Sequence, residues 1–306
     1  FKFNAWEVAK KRAEIEGIPL ILGSVAPKME IFKGIEEKEF TLIEDELPLL
    51  TNFSEVKINR KIFFSGSIPY EMERIIKDKD GQKKTTFVFT PRKYYSSHIQ
   101  CINCGHIFIC PLCASPVIYK KRQDRLFCLS CEEDFNYKGL CPACGSDLIR
   151  FFQFGAEFIE EILIGLAPDK RISLLTADNI EEQTKKFEFK TLEDKEIIIG
   201  TNILSKCYGI KCNTMLFIGM EDMLAMAGYR AEEKLFQFIY NTLDALNPDE
   251  LYFFVDEKKG FDLEHFVSYK EFYRKELEKR RLAEFPPYNN IYLIEIEKKT
   301  LHAGER

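Results

Sequence analysis

Apolar and polar positions follow two rhythms along the chain. Residues 5–16 carry the spacing of an amphipathic helix, whereas Ile18-Pro-Leu-Ile-Leu-Gly is a short apolar run that predicts a buried strand, followed by the loop Ser24-Val-Ala-Pro-Lys. Residues 31–60 are acidic and irregular, with Leu47-Pro-Leu-Leu and a β-rich Val56-Lys-Ile-Asn, and predict a linker. Residues 68–79 predict a helix. Thr85-Thr-Phe-Val-Phe-Thr predicts a strand of the continuous apolar kind that parallel sheets bury on both faces, ending at Pro91-Arg-Lys-Tyr. From residue 155 helix and strand patterns alternate. Helix 155–166, with Phe158, Ile159, Ile162 and Leu163 on one face, precedes strand 171–175, helix 180–188 and strand 196–200. Strand 215–219, helix 230–246 and strand 251–255 follow, then a charged helix 269–284, Phe285-Pro-Pro-Tyr and a strand 290–297. Such βα alternation builds a parallel sheet with helices on both faces. Ligands of such sheets bind beyond the carboxyl ends of the strands, which places 91–94, 176–179, 200–206 and Glu221-Asp222 on one functional edge.

Length changes the picture little: 306 residues allow roughly two domains at about 150 residues each, and 45% apolar content fills their cores. Charge removes one class of partner signal. Forty-nine acids against 44 bases leave −5, so no global basic field advertises nucleic acid, and any such contact is local. The longest apolar stretches, 18–26 and 215–220, fall short of a membrane span. The first segment is too charged for a signal peptide and begins with Phe, which predicts a fragment.

Cysteine spacing is the most informative chemistry. Eight of ten cysteines fall in C-x-x-C pairs between 101 and 144: Cys101/Cys104, Cys110/Cys113, Cys128/Cys131 and Cys141/Cys144. Without a secretory signal, four such pairs predict thiolate-bound zinc, two ions with four thiolates each. The five residues between Cys104 and Cys110 leave little chain for folding back on one ion, whereas residues 114–127 suit a hairpin. A nested pairing is therefore preferred: Cys110, Cys113, Cys128 and Cys131 at one ion, Cys101, Cys104, Cys141 and Cys144 at the other. A crossed pairing remains open. Gly105 and Gly145 supply left-handed turn residues after the outer pairs. Four thiolates leave no open coordination position, so both zincs are structural. His106, Cys207 and Cys212 are expected not to be ligands. At the hairpin tip, Tyr119 to Arg125 brings Lys120, Lys121, Arg122 and Arg125 together as a candidate phosphate contact. A solvated turn is the plain alternative.

These pieces, in this order, resemble the primosomal replication-restart helicase family (primosomal protein N′). The resemblance rests on the four-knuckle block together with Leu22-Gly-Ser-Val-Ala-Pro, Phe87-Val-Phe-Thr-Pro-Arg-Lys-Tyr, Ile199-Gly-Thr-Asn-Ile-Leu-Ser-Lys, Tyr229-Arg-Ala-Glu and Phe285-Pro-Pro-Tyr. It implies an α/β fold: a RecA-like parallel-sheet second helicase lobe (58–99 and 146–260) with an inserted all-cysteine binuclear zinc-ribbon module (100–145). A remnant of lobe 1 with a linker (1–57) would precede it, and a connecting helix with the start of a C-terminal domain (261–306) would follow. It also implies the nested zinc pairing, 3′-to-5′ superfamily-2 DNA motor chemistry with ATP and Mg²⁺, and a cytoplasmic, nucleoid-associated place. The implied partners are forked or single-stranded DNA, other primosome proteins and single-stranded-DNA-binding protein, with no membrane. Arg92, Thr201, Lys206 and Asp222 would face the interlobe cleft.

The motor motifs depart from that pattern. No G-x-x-x-x-G-K-[ST] occurs, so the phosphate cradle is missing from these residues, as is the acidic Mg²⁺ motif. Ala26 stands where relatives carry Thr in the first-lobe loop, and Cys207 follows Lys206 where they carry Gly. There is no arginine between Arg230 and Arg274, where the family's arginine fingers fall. Arginine fingers are worth ~10³ to 10⁵ in rate, so the expected product is a DNA-binding restart protein with a degenerate or incomplete motor. The alternatives are a portion of an active helicase and, more distantly, a zinc-ribbon protein of RNA or transcription machinery.

Overall fold

The computed structural model describes residues 5–43, 53–58, 68–78, 84–176, 192, 194–226, 228–256, 258, 259 and 261–291. Strands β1 (Phe53–Ile58) and β2 (Thr86–Phe89) open a parallel sheet. The chain then leaves for β3 (Ser96–Cys101), β4 (Ile118–Lys120), β5 (Arg125–Cys128), β6 (Glu133–Asn136) and β7 (Ile149–Phe154), which form a separate antiparallel sheet ordered β6-β5-β4-β3-β7. It returns for β8 (Ile172–Leu175), β9 (Ile197–Gly200), β10 (Thr214–Ile218) and β11 (Glu250–Asp256), completing the parallel order β1-β11-β10-β2-β9-β8. Around these pack helices α1 (Ala5–Glu16), α2 (Met29–Glu36), α3 (Tyr70–Ile76), α4 (Ala156–Leu166), α5 (Glu221–Met226), α6 (Ala231–Leu246), α7 (Glu264–Val267) and α8 (Tyr269–Leu282).

The continuous apolar strands are explained by burial on both faces. Successive residues of β2 point to opposite sides: Phe87 and Phe89 join Met215, Phe217 and Phe253 under α2, α6 and α8, while Val88 joins Ile199, Leu216 and Phe254 under α3 and α4. On the first side Phe236 stacks on Phe272 with centroids 4.0 Å apart, fixing α6 against α8. The same side holds a buried charge cluster. Arg280 donates to Glu276 at 2.8 Å and to Glu233 at 3.1 Å, and Glu233 in turn accepts the Met29 backbone N–H at 3.0 Å. All three charged side chains are fully buried, so each depends on the others for compensation.

The antiparallel module joins the sheet through a narrow neck. The chain exits after Thr90 and re-enters at Gly155, where the Gly155 N–H donates to Tyr95 O at 3.2 Å and the Ala156 N–H to Arg92 O at 2.8 Å. A Cβ on residue 155 would sit 2.5 Å from Arg92 O and closer still to Tyr94 O, so glycine is required by close approach. Tyr95 fills the neck, meeting Tyr119, Phe151, Phe154 and Phe158 edge-on at 5.5–5.9 Å.

The expected linker over 31–60 contains most of α2 and all of β1, which pairs in parallel with β11 along its length. Its alternating polar positions reflect an edge strand, solvated where an inner strand would be covered. The strand expected at Ile18 does not form, and Ile18, Ile21 and Leu22 lie exposed. An apolar run becomes a strand only beside a free sheet edge, and no described edge reaches it. The expected helix over 180–188, the Leu47 segment and the expected strand beyond 291 lie outside the described residues.

Replacing Gly155 with Ala should cost about 2 kcal/mol or more of stability, read as a lowered urea midpoint without a change in slope. Arg280→Ala should cost about 3–5 kcal/mol by leaving two buried carboxylates uncompensated, measured in the same way.

Candidate functional site

Each C-x-x-C pair closes a tight turn of the same geometry. The N–H groups of Gly105, Ala114, Glu132 and Gly145 each donate to the carbonyl of the first cysteine of their pair at 2.9 Å. All four of these residues take positive φ, 75°, 60°, 58° and 73° in that order. The outer glycines were legible as turn residues. Ala114 and Glu132 were not, because their side chains tolerate the left-handed region only under the constraint of the knuckle.

Four knuckles make two clusters, and the pairing is nested. Cys101, Cys104, Cys141 and Cys144 form one and Cys110, Cys113, Cys128 and Cys131 the other, with ligand atoms in each lying within 4.8 Å of one another. Sulfur separations are 3.7 Å (Cys101–Cys144) and 3.6 Å (Cys104–Cys141) in the outer cluster. They are 4.0 Å (Cys110–Cys131) and 3.5 Å (Cys113–Cys128) in the inner one. Tetrahedral Zn–S bonds of ~2.3 Å place thiolates about 3.8 Å apart, so the donor sets fit two structural zinc ions and are too wide for disulfides. N–H groups already face the sulfurs: Leu112 N donates to Cys110 at 3.4 Å and Asn103 Nδ2 to Cys144 at 3.6 Å. Hydrogen bonds from Ser115 lower Cys113 to about 6 and the Ser146 N–H lowers Cys144 to about 6, while their cluster neighbours Cys131 and Cys104 are pushed up to about 12, so within each cluster the thiols share their protons unequally. His106 instead packs beside Phe108, while Cys207 and Cys212 are core residues, Cys207 pushed up to about 12 by burial.

The four candidate phosphate-binding bases lie together on the β4–β5 hairpin, and each has a partner. Lys120 pairs with Asp134 at 3.3 Å and rests 3.6 Å above the Phe127 ring. Lys121 pairs with Glu161 at 2.5 Å, and Arg122 with Glu160 through both carboxylate oxygens at 2.5–2.6 Å. Arg125 donates to Asp134 O at 3.3 Å. The glutamates at 157, 160 and 161 share one face of α4 by their spacing, a signal present in the sequence but hidden behind the helix's apolar face.

At the carboxyl edge of the parallel sheet, Arg92 and Asp222 meet. Arg92 Nε lies 3.2 Å from one Asp222 oxygen and Lys259 Nζ 2.5 Å from the other, with the carboxylate buried between them. Arg92 also donates to Ser97 Oγ at 3.0 Å, linking the edge to the start of the module. Lys259 was missed because its loop lies far from any motif. Thr201 stands at the end of β9, and Lys206, exposed, closes the following 3-10 turn. Neither side chain bonds to the Arg92–Asp222 pair among the described residues.

Residues 108–172 match the model of the double zinc ribbon family, which begins after the first knuckle, so the geometry adds Cys101 and Cys104 to the set. The replication restart protein PriA of Bacillus subtilis is 25% identical over 96% of this chain and 39% of its own length. PriA of Borreliella burgdorferi is 24% identical over 94% of the chain and 45% of its own length, and that of Thermotoga maritima 23% over 99% and 42%. The chain is similar to these PriA proteins along nearly all of its own length. The similarity covers both the parallel sheet and the zinc module, and the chain spans less than half the length of these relatives. A DEAD box protein of Methanococcus jannaschii overlaps 76% of the chain and 40% of its own, at 11% identity and a TM-score of 0.31, too loosely to bear on the fold. No helix among the described residues is long and apolar enough to cross a membrane.

Metal analysis of the purified chain should return two zincs. Cys104→Ser/Cys141→Ser and Cys113→Ser/Cys128→Ser should each leave one, and thermal stability should fall with each loss.

Proposed function

We propose that this chain is the DNA-binding portion of a replication-restart protein, recognising forked or single-stranded DNA without driving strand separation by itself. In this reading it acts in the cytoplasm at the nucleoid, alongside other primosome proteins and single-stranded-DNA-binding protein. One observation carries it: a two-cluster ribbon is inserted between β2 and α4 of a PriA-like parallel sheet, so the basic hairpin and the Arg92–Asp222 edge converge on one neck. The edge supplies charge where parallel sheets take ligands, and the hairpin supplies bases on a rigid support.

Sequence and packing together support a motor that does not run alone. The P-loop is missing from these residues, and the segment without arginine includes the second half of α6, whose Phe238, Ile239 and Leu243 are core residues. An arginine finger must project toward nucleotide, and those positions face inward. Ala26 is buried as well, with no hydroxyl to couple two sites.

Zinc-loaded chain should bind a fluorescent fork, with log affinity falling linearly against log salt by ~0.7 per neutralised single-strand phosphate, and chelation should abolish binding. DNA should not stimulate ATP hydrolysis. Measurable ATP turnover would instead favour the active-helicase alternative.

A further inference from the structure

The acidic face of α4 does more than complete the module's packing. Lys121 is held twice, by its backbone N–H on Glu157 at 3.0 Å and by its ammonium on Glu161, and it also lies 4.5 Å over the Tyr95 ring in the neck. Arg122 grips Glu160 with one nitrogen shared between both oxygens. Lys121, Arg122 and Glu161 are about half exposed, so the Lys121–Glu161 pair is a wet one, whereas Glu160 is only 15% exposed and takes Arg122 at a partly covered site. Such pairs are individually weak and screened by salt, whereas a nucleic-acid strand offers the same bases a row of phosphates and releases counterions as it binds. The same two cations therefore have two anionic partners that exclude one another.

We infer, resting on the DNA-binding reading above, that the carboxylates of Glu160 and Glu161 act as a built-in phosphate mimic, an autoinhibitory latch that holds Lys121 and Arg122 until single-stranded DNA displaces them. The neck makes this mechanically feasible. The module meets the sheet there through the Gly155 and Ala156 backbone bonds, the Arg92–Ser97 bond and the Tyr95 ring, and its tip meets α4 through the Lys121 N–H on Glu157 and two ion pairs, which are side-chain contacts that can exchange without moving the backbone. With the latch closed, part of the hairpin's charge is unavailable to DNA, and the apparent affinity is reduced by the fraction of molecules that are closed.

The test uses the zinc-loaded full chain and a fluorescein-labelled oligothymidylate, followed by anisotropy at fixed salt. Glu160→Gln with Glu161→Gln keeps the shape of α4 and should tighten binding roughly three- to ten-fold. Lys121→Gln with Arg122→Gln should weaken it. The decisive arm combines all four changes. In the background lacking the bases, the gain from neutralising the glutamates should vanish, because no latch remains to open. A gain that persists there shows general relief of negative charge and overturns the latch. Wild-type binding with no gain in Glu160→Gln/Glu161→Gln overturns the latch while leaving the DNA reading intact. Failure of every form to bind sinks the DNA reading and the latch together. Glu160→Asp with Glu161→Asp, which shortens the carboxylates without removing charge, should give an intermediate gain, and no gain from it counts against the latch.

Discussion

The approach of two carbonyl oxygens to the α-carbon of Gly155 governs how this molecule is assembled. An insertion of five strands and two metal clusters can be carried by a parallel sheet only if its two ends meet, since β2 and α4 are successive parts of one crossover. The bonds from Gly155 and Ala156 to Tyr95 and Arg92 bring those ends together, and any side chain at 155 would force them apart. Arg92 serves both sides of this junction, its carbonyl starting α4 and its guanidinium holding Asp222. The sheet edge and the module are thus coupled through one residue's backbone and side chain.

Charge within the molecule is organised by pairing rather than by net excess. The slight acidity of the chain says little, because the hairpin bases face glutamates of α4 or Asp134, and the edge acid lies between two cations. A surface balanced in this way presents little long-range field, so encounter with a polyanion depends on local exchange of partners. The zinc clusters matter here as rigid supports. Closed four-thiolate sites fix the knuckles, and the aromatic core of Tyr119, Tyr137 and Phe151 fixes the hairpin relative to the neck.

How far the sequence foretold this depends on the range of the interactions involved. The parallel sheet was legible because inner strands such as β2, β9 and β10 are apolar on both faces, a pattern that needs no knowledge of partners. Loop closure made the nested pairing the preferred one, since the spacer between Cys104 and Cys110 is too short to fold back on one ion, but it left a crossed pairing open, and the sulfur positions decide between them. β1 was missed because an edge strand carries polar residues, and the Ile18 run was overread because strand formation depends on a neighbour absent from the local pattern. The partners of Lys121 and Arg122 lie outside the module, on α4, beyond what local spacing reveals. The Lys259 contact with Asp222 depends on the loop after β11 meeting the first turn of α5 at the sheet edge.

One consequence of the buried Arg280 cluster concerns which distant segments of the chain are held together. Arg280 reaches Pro286 O at 3.5 Å on one side and Glu233 on the other, and Glu233 holds the Met29 N–H, while Tyr273 donates to Pro27 O. Residues 27–29 and Pro286 are thereby both tied to the α6–α8 pair, through the Arg280 guanidinium, the Tyr273 hydroxyl and the Gln237 amide. The tie runs over the face of the sheet that α6 and α8 cover, and none of its hydrogen bonds is made by a strand.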